Sequence, residues 1–153
     1  MQDTRPECVI LVGLPGAGKT TFYRQRYPSH DHISKDTLPN AGNKQARQDA
    51  ALRRALAGRR SVIVDNTNVT AADRASVIGI AREFDARVVG YYIEATTREA
   101  VARNEKRTGR AKVPKVAIFT CAKRLVPPSA AEGFDELHTV RVLDDGGFAE
   151  KEC

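Results

Sequence analysis

The octapeptide Gly13-Leu14-Pro15-Gly16-Ala17-Gly18-Lys19-Thr20 has the residue types and spacing of a phosphate cradle, G-x-x-x-x-G-K-[ST]. Its glycines let the backbone wrap closely around phosphate oxygens with N–H groups turned inward. A helix starting near Lys19 adds the positive end of its dipole. From that position the Lys19 ammonium reaches the outer phosphates, and the Thr20 hydroxyl is suited to a magnesium ion. Gly13, Pro15, Gly16, Ala17, Gly18, Lys19, Thr20 and Thr21 are therefore expected to line a nucleoside-triphosphate site. The context fits as well: an apolar run, Cys8–Val12, precedes the motif and a helical pattern follows it.

Two acids stand where strands should end. Asp65 closes the apolar run Ser61–Asp65, and strands of such sheets present their C-terminal ends to the ligand. Asp65 is thus expected to hold the magnesium ion directly or through water, or else to cap the turn into Asn66-Thr67-Asn68. Asp36 follows the short strand His32-Ile33 within Ile33-Ser34-Lys35-Asp36-Thr37-Leu38. There a carboxylate would face the terminal phosphate from the acceptor side and take a proton from an attacking hydroxyl. Its position alone suits a helix N-cap equally well.

A third group is basic. The chain has 25 Lys and Arg against 19 Asp and Glu, a formal charge of +6. Residues 98–124 hold nine basic residues and two acids, so this window carries +7 and the rest of the chain sums to −1. Arg103, Arg107 and Arg110 are spaced by four and three, which on one helix gives a shared face. Arginines closing over a transferring phosphoryl group neutralise the charge spread on its oxygens. Gly109 would let the chain bend within such a lid, and Arg124 is a weaker member. The alternative is a solvated basic helix. Only Phe119 offers an aromatic ring inside the window, so the basic patch does not by itself specify a polynucleotide.

The elements that must position these groups alternate between strand and helix. Apolar strand runs at Cys8–Val12, His32-Ile33, Ser61–Asp65, Arg87–Ile93 and His138–Leu143 are separated by helical patterns at Lys19–Tyr27, Lys44–Ala57, about 71–84, about 97–108 and Pro114–Leu125. Thr70-Ala71-Ala72-Asp73 and Thr96-Thr97-Arg98-Glu99 read as capping boxes opening two of them. Nearly continuous apolar strands alternating with helices predict an α/β fold with a parallel sheet covered on both faces. At 153 residues one domain is expected, spanning 1–153, with a lid at about 98–124 and an acidic tail, 144–153, that frays. No run approaches the roughly 18 apolar residues of a membrane span. The N-terminal residues lack a signal-peptide core, and Cys8, Cys121 and Cys153 form neither a disulfide framework nor a metal site, so a cytoplasmic setting is expected.

Gly13–Phe22 (GLPGAGKTTF), Ser34–Leu38 (SKDTL), Val64–Asn68 (VDNTN), the Arg103, Arg107, Arg110 series and Pro127–Phe134 (PPSAAEGF) together resemble the kinase domain of polynucleotide 5′-hydroxyl kinases. The likeness is strongest to the kinase half of the bifunctional polynucleotide kinase–phosphatases, and it spans about residues 8–142. It implies a P-loop NTPase fold of adenylate-kinase-like type: three α/β/α layers, a roughly five-stranded parallel sheet and a helical lid. It implies ATP and Mg²⁺ as cofactors and a 5′-OH end of DNA or RNA as acceptor. Related domains act instead on small-molecule hydroxyls, and a non-catalytic nucleotide switch is a third reading. By the same resemblance Asp36 matches the general base and Asp65 an acid needed for activity, at the metal or at the acceptor. Arg107 and Arg110 match lid arginines on the nucleotide phosphates, with Arg103 nearer the base or ribose. Lys35 stands where the family often has arginine.

Overall fold

The computed structural model describes residues 4–37, 43–109, 112–143 and 145–152. Five strands run parallel: β1 (Glu7–Val12), β2 (Asp31–Ile33), β3 (Val62–Asp65), β4 (Arg87–Ile93) and β5 (Glu136–Val142). A sixth, β6 (Phe148–Glu152), runs antiparallel on β5, and the sheet order is β2-β3-β1-β4-β5-β6. Among the described residues five α-helices accompany them: α1 (Lys19–Arg26), α2 (Lys44–Ala57), α3 (Ala71–Glu83), α4 (Thr97–Glu105) and α5 (Lys115–Arg124).

Alternation along β1 builds the two cores. Cys8, Ile10 and Val12 face one side, where Leu52, Ala55 and Leu56 of α2 and Val77, Ile78 and Ala81 of α3 close over them. Val9 and Leu11 face the other, against Phe22 of α1, Ala100 of α4 and Ile118 of α5. All five apolar residues of β1 are fully buried. This is why β1 reads as a continuous apolar run rather than an alternating one. Each such side chain contributes roughly 1.5–3 kcal/mol on burial, so the strand feeding the phosphate loop is among the most firmly held elements.

Helix starts follow the capping residues. The Thr96 hydroxyl accepts from the Glu99 N–H and the Glu99 carboxylate accepts from the Thr96 N–H, a complete capping box. Thr70 caps α3 by accepting from the Asp73 N–H, and Asn43 caps α2 by accepting from the Ala46 N–H.

Two expectations need correction. The described part of the tail does not fray but supplies β6, an antiparallel strand added to the five expected parallel ones, with Val142 opposite Phe148 and His138 opposite Glu152. Phe148 sets its ring edge against Phe22 with centroids 5.2 Å apart, and Glu150 accepts from Arg26 at 3.0 Å. One half-buried aromatic and a few ion pairs anchor a strand whose composition is otherwise polar. The other correction concerns α4, which ends at Glu105, short of the expected Thr108. The buried Asn104 clasps Val113, donating to its carbonyl at 2.7 Å and accepting from its N–H at 3.0 Å. That clasp folds the chain back on itself and starts α5.

Candidate active site

The phosphate loop lies between the end of β1 and the start of α1. The Ala17 N–H donates to the Leu14 carbonyl and the Gly13 N–H to the Thr67 carbonyl, both at 3.0 Å. Gly16 has φ +86, and a Cβ there would sit 2.5 Å from the Ala100 carbonyl of α4. Only glycine satisfies both the dihedral and the contact.

Lys19 is buried and its ammonium donates to the carbonyls of Gly13 and Leu14, at 3.0 and 2.8 Å. Burial pushes its pKa down to about 8, and the positive charge of Arg107 pushes the same way, while Asp65 and Asp36 oppose the shift. A phosphate oxygen at this ammonium would restore the charged form.

Asp65 ends β3 as the sequence implies, and it is buried. Its Oδ2 accepts from the Thr20 hydroxyl at 3.0 Å and from His32 Nε2 at 2.8 Å. Burial alone would raise this carboxyl. The His32 bond, the Lys19 charge and the Thr20 bond together outweigh it and hold Asp65 below the ordinary aspartate range. The site therefore presents an ionised carboxylate beside a threonine hydroxyl.

Asp36 sits in a 3-10 turn, Lys35–Thr37, directly after β2, and it is exposed. Its N–H donates to the Ser34 hydroxyl at 3.2 Å. Among the described residues, no side chain pairs with its carboxylate, so that group is available to an incoming proton. Leu38 and the stretch to Gly42 lie outside the described residues.

Arg103 and Arg107 do not share one helix face. Arg103 lies on α4 and donates to the carbonyls of Gly16 and Ala17, each at 3.4 Å. Arg107 follows the end of that helix, its N–H closing a turn on the Asn104 carbonyl. Arg110 lies outside the described residues. The Asn104 clasp on Val113 ends α4 before Arg107, so helical periodicity does not set the place of Arg107.

The Asp65-Asn66-Thr67-Asn68 segment joins the parts, each residue by a different bond. Asp65 takes Thr20 and His32. Asn66 accepts from the Lys35 N–H at 2.9 Å and donates to Gln48 at 2.6 Å. Thr67 holds Gly13. Asn68 donates to the Leu11 carbonyl at 2.8 Å, and its own carbonyl accepts from Arg74 at 2.9 Å. Arg74, fully buried, is gripped by Glu132 through two bonds of 2.7 and 3.1 Å. The Glu132-Gly133-Phe134 triplet thus has a structural account: Glu132 anchors Arg74, and Phe134 lies where a Cβ on Gly90 would be, 2.5 Å from its ring.

Sequence reasoning missed His32, Asn66, Gln48, Arg74 and Glu132 as parts of this site. His32 had a faint signal: on β2, Ile33 faces the core, so its neighbour must face the opposite side, where Asp65 and the ring of Tyr23 lie, the latter with centroids 4.3 Å from it. Among the described residues no three His, Cys, Asp or Glu side chains gather as a metal site, and no helix is long and apolar enough to cross a membrane.

A glycine-rich loop running from an inner strand of a mostly parallel sheet into a helix, with helices on both faces, defines the P-loop kinase fold. The chain belongs to the AAA_33 family, described as AAA domain, whose model matches residues 8–128. It is similar to a bifunctional polynucleotide phosphatase/kinase of Schizosaccharomyces pombe, 29% identical over 139 residues that cover 88% of this chain and 33% of that protein. It is also similar to an L-seryl-tRNA(Sec) kinase of Methanococcus maripaludis, 26% identical, covering 83% of this chain and 55% of that one. The chain thus spans from a third to about half the length of these two relatives. In fold it resembles the crystal structure of Chaetomium thermophilum Kti12 in complex with ADP-AlF3, with a TM-score of 0.71, 19% identity and 90% of each chain covered.

Proposed function

We propose that this chain is an ATP-dependent kinase that transfers the γ-phosphoryl group to the 5′-hydroxyl end of DNA or RNA. The observation that carries the reading is the Thr20 hydroxyl on the buried Asp65 carboxylate at 3.0 Å, beside the buried Lys19 ammonium of the glycine-rich loop, with the exposed Asp36 carboxylate on the turn that follows β2. In this reading the acceptor oxygen attacks the γ-phosphorus in line as the bond to the bridging oxygen breaks. Asp36 takes the hydroxyl proton and ADP leaves. Lys19 and Arg107 neutralise the charge on the transferring group, with Arg110 assigned the same role. Arg103 braces the loop through its carbonyls.

The Thr20 hydroxyl and Asp65 carboxylate, 3.0 Å apart, are hard oxygen donors of the kind Mg²⁺ takes when phosphates and water complete its shell. When bound there, the ion would offset charge on the β- and γ-phosphate oxygens. Asp65 and Thr20 would hold it, and His32 fixes the orientation of Asp65.

The polynucleotide acceptor is favoured by the Lys35-Asp36-Thr37-Leu38 and Asp65-Asn66-Thr67-Asn68 motifs and by the likeness to the polynucleotide phosphatase/kinase. The relative named for seryl-tRNA supports a second reading, in which the same core serves a hydroxyl of another acceptor. The two separate in one assay. Labelled ATP is offered with a 5′-OH oligonucleotide beside seryl-tRNA and a panel of small alcohols and nucleosides. The first reading expects label on the 5′ end of the oligonucleotide and an acceptor KM that rises steeply with salt. Label confined to the seryl group of seryl-tRNA, or to a small alcohol with a salt-insensitive KM, would overturn it.

The loop geometry gives a further expectation. Gly16→Ala places a methyl group 2.5 Å from the Ala100 carbonyl at a φ of +86, a strain of about 1–3 kcal/mol that the loop must relieve by moving. ATP affinity, measured by titration calorimetry, should fall about ten-fold or more. Affinity within two-fold of wild type would show that the loop tolerates the displacement.

A further inference from the structure

We infer that Asn66 is a positioning residue that aims Asp36 at the acceptor hydroxyl, with Gln48 fixing the orientation of Asn66. The inference rests on the reading of Asp36 as the base and goes beyond it. Asp36 rides on a three-residue 3-10 turn, Lys35–Thr37, too short to hold its own direction. Its carboxylate has no partner among the described residues, so no described side chain holds that group directly. The turn must be fixed through its backbone and its neighbours.

Three contacts do this. The Lys35 N–H donates to Asn66 Oδ1 at 2.9 Å. The Asp36 N–H donates to the buried Ser34 hydroxyl at 3.2 Å. The Lys35 ammonium donates to Gln45 Oε1 at 2.7 Å, and Gln45 in turn donates to Asp49 on the same helix. Of these, only the Asn66 bond ties the turn to the segment that carries Asp65 and holds Gly13.

Asn66 has one orientation that serves both its neighbours. Its carbonyl oxygen accepts from Lys35, and its amide donates to Gln48 Oε1 at 2.6 Å. Gln48 is buried on the inner face of α2, which leaves it little freedom to swing. The path therefore runs from α2 through Gln48 and Asn66 to the Lys35 N–H and so to Asp36. It couples the acceptor-side carboxylate to the same loop that fixes the phosphate side. A displacement of the base by about 1 Å is worth on the order of 10²-fold in rate, which sets the size of effect such a clamp controls.

The test uses Asn66→Leu, close in shape but without an acceptor, assayed with labelled ATP and a 5′-OH oligonucleotide. Asn66→Leu should lower kcat by about 10- to 100-fold while the KM for ATP stays within about two-fold. Combined with Asp36→Asn, it should cost less than about two-fold more, because its effect passes through the group already removed. Asn66→Asp, which keeps an acceptor for the Lys35 N–H, should lose less than Asn66→Leu. Gln48→Leu should lower kcat by an intermediate factor, and it serves where Asn66→Leu fails to fold. Amide exchange at Lys35, read by NMR without any acceptor, should quicken at least about ten-fold in Asn66→Leu.

An equal loss from Asn66→Leu in the wild-type and Asp36→Asn backgrounds would overturn the inference while leaving the base intact. So would a loss confined to ATP affinity, or unchanged Lys35 exchange. Wild-type turnover by Asp36→Asn would overturn the base reading itself, and this inference with it.

Discussion

Asp36→Asn is expected to slow phosphoryl transfer by about 10²- to 10⁴-fold while leaving the affinity for ATP within about three-fold of wild type. The substitution keeps the size and the hydrogen-bonding shape of the side chain and removes only its capacity to accept a proton. Asp36 is exposed and makes no side-chain bond to any described residue, so the fold has little to lose. Lys19, Thr20 and the loop backbone do not touch it, so the phosphate cradle should persist. The one expected side effect is electrostatic: the Asp36 charge favours the protonated Lys19, and its loss should press that ammonium slightly further down. Single-turnover transfer and nucleotide titration, run on the same preparation, separate the two quantities. Wild-type turnover would remove Asp36 from the chemistry. A collapse of ATP affinity would move it to the donor side.

The second large effect falls on stability. Arg74 is entirely buried and its guanidinium meets the Glu132 carboxylate in a two-bond fork, with Glu132 itself retaining 16% of its side-chain exposure. Removing one partner of such a pair leaves a desolvated charge, at a cost of about 3–5 kcal/mol. The two halves are not equivalent. Glu132→Ala strands a guanidinium with no access to water, whereas Arg74→Met leaves a carboxylate that can turn toward solvent. Glu132→Ala should therefore be the worse of the two, losing about 3–5 kcal/mol and roughly 10 °C of melting temperature. Denaturant unfolding of both variants measures the order. A loss under about 1 kcal/mol for Glu132→Ala, or the reverse order, would show that the pair does not anchor Asn68. The consequence reaches the site, because Arg74 also holds the Asn68 carbonyl, and Asn68 holds Leu11 at the mouth of the phosphate loop.

Much of this site was legible in the residues, for identifiable reasons. The phosphate loop is a local motif whose chemistry is written in consecutive residues. Asp65 follows from a strand end, and the strand itself from an apolar run buried on both faces. The helix starts at Thr96 and Thr70 follow from side chains that satisfy the first N–H groups. What stayed hidden depends on partners far apart in the chain. Arg74 and Glu132 are 58 positions apart, and Asn66 and Lys35 are 31 apart. Neither separation leaves a periodic trace. β6 was missed because Phe148–Glu152 is mostly charged, and only its pairing with β5 makes it a strand. The arginine series misled through its spacing. Four and three residues suit a helix face, but the Asn104 clasp ends α4 before Arg107, and Arg110 lies outside the described residues.

The most direct test of the central claim maps the product of the reaction. The full chain is incubated with Mg²⁺, ATP labelled at the γ-position and an oligonucleotide carrying a free 5′-hydroxyl, with Asp36→Asn in parallel. Wild-type protein should place the label on the 5′ end as a phosphomonoester that a phosphatase removes, and Asp36→Asn should place little or none. An oligonucleotide that stays unlabelled while the wild-type protein binds ATP, or one labelled equally by both proteins, would contradict it.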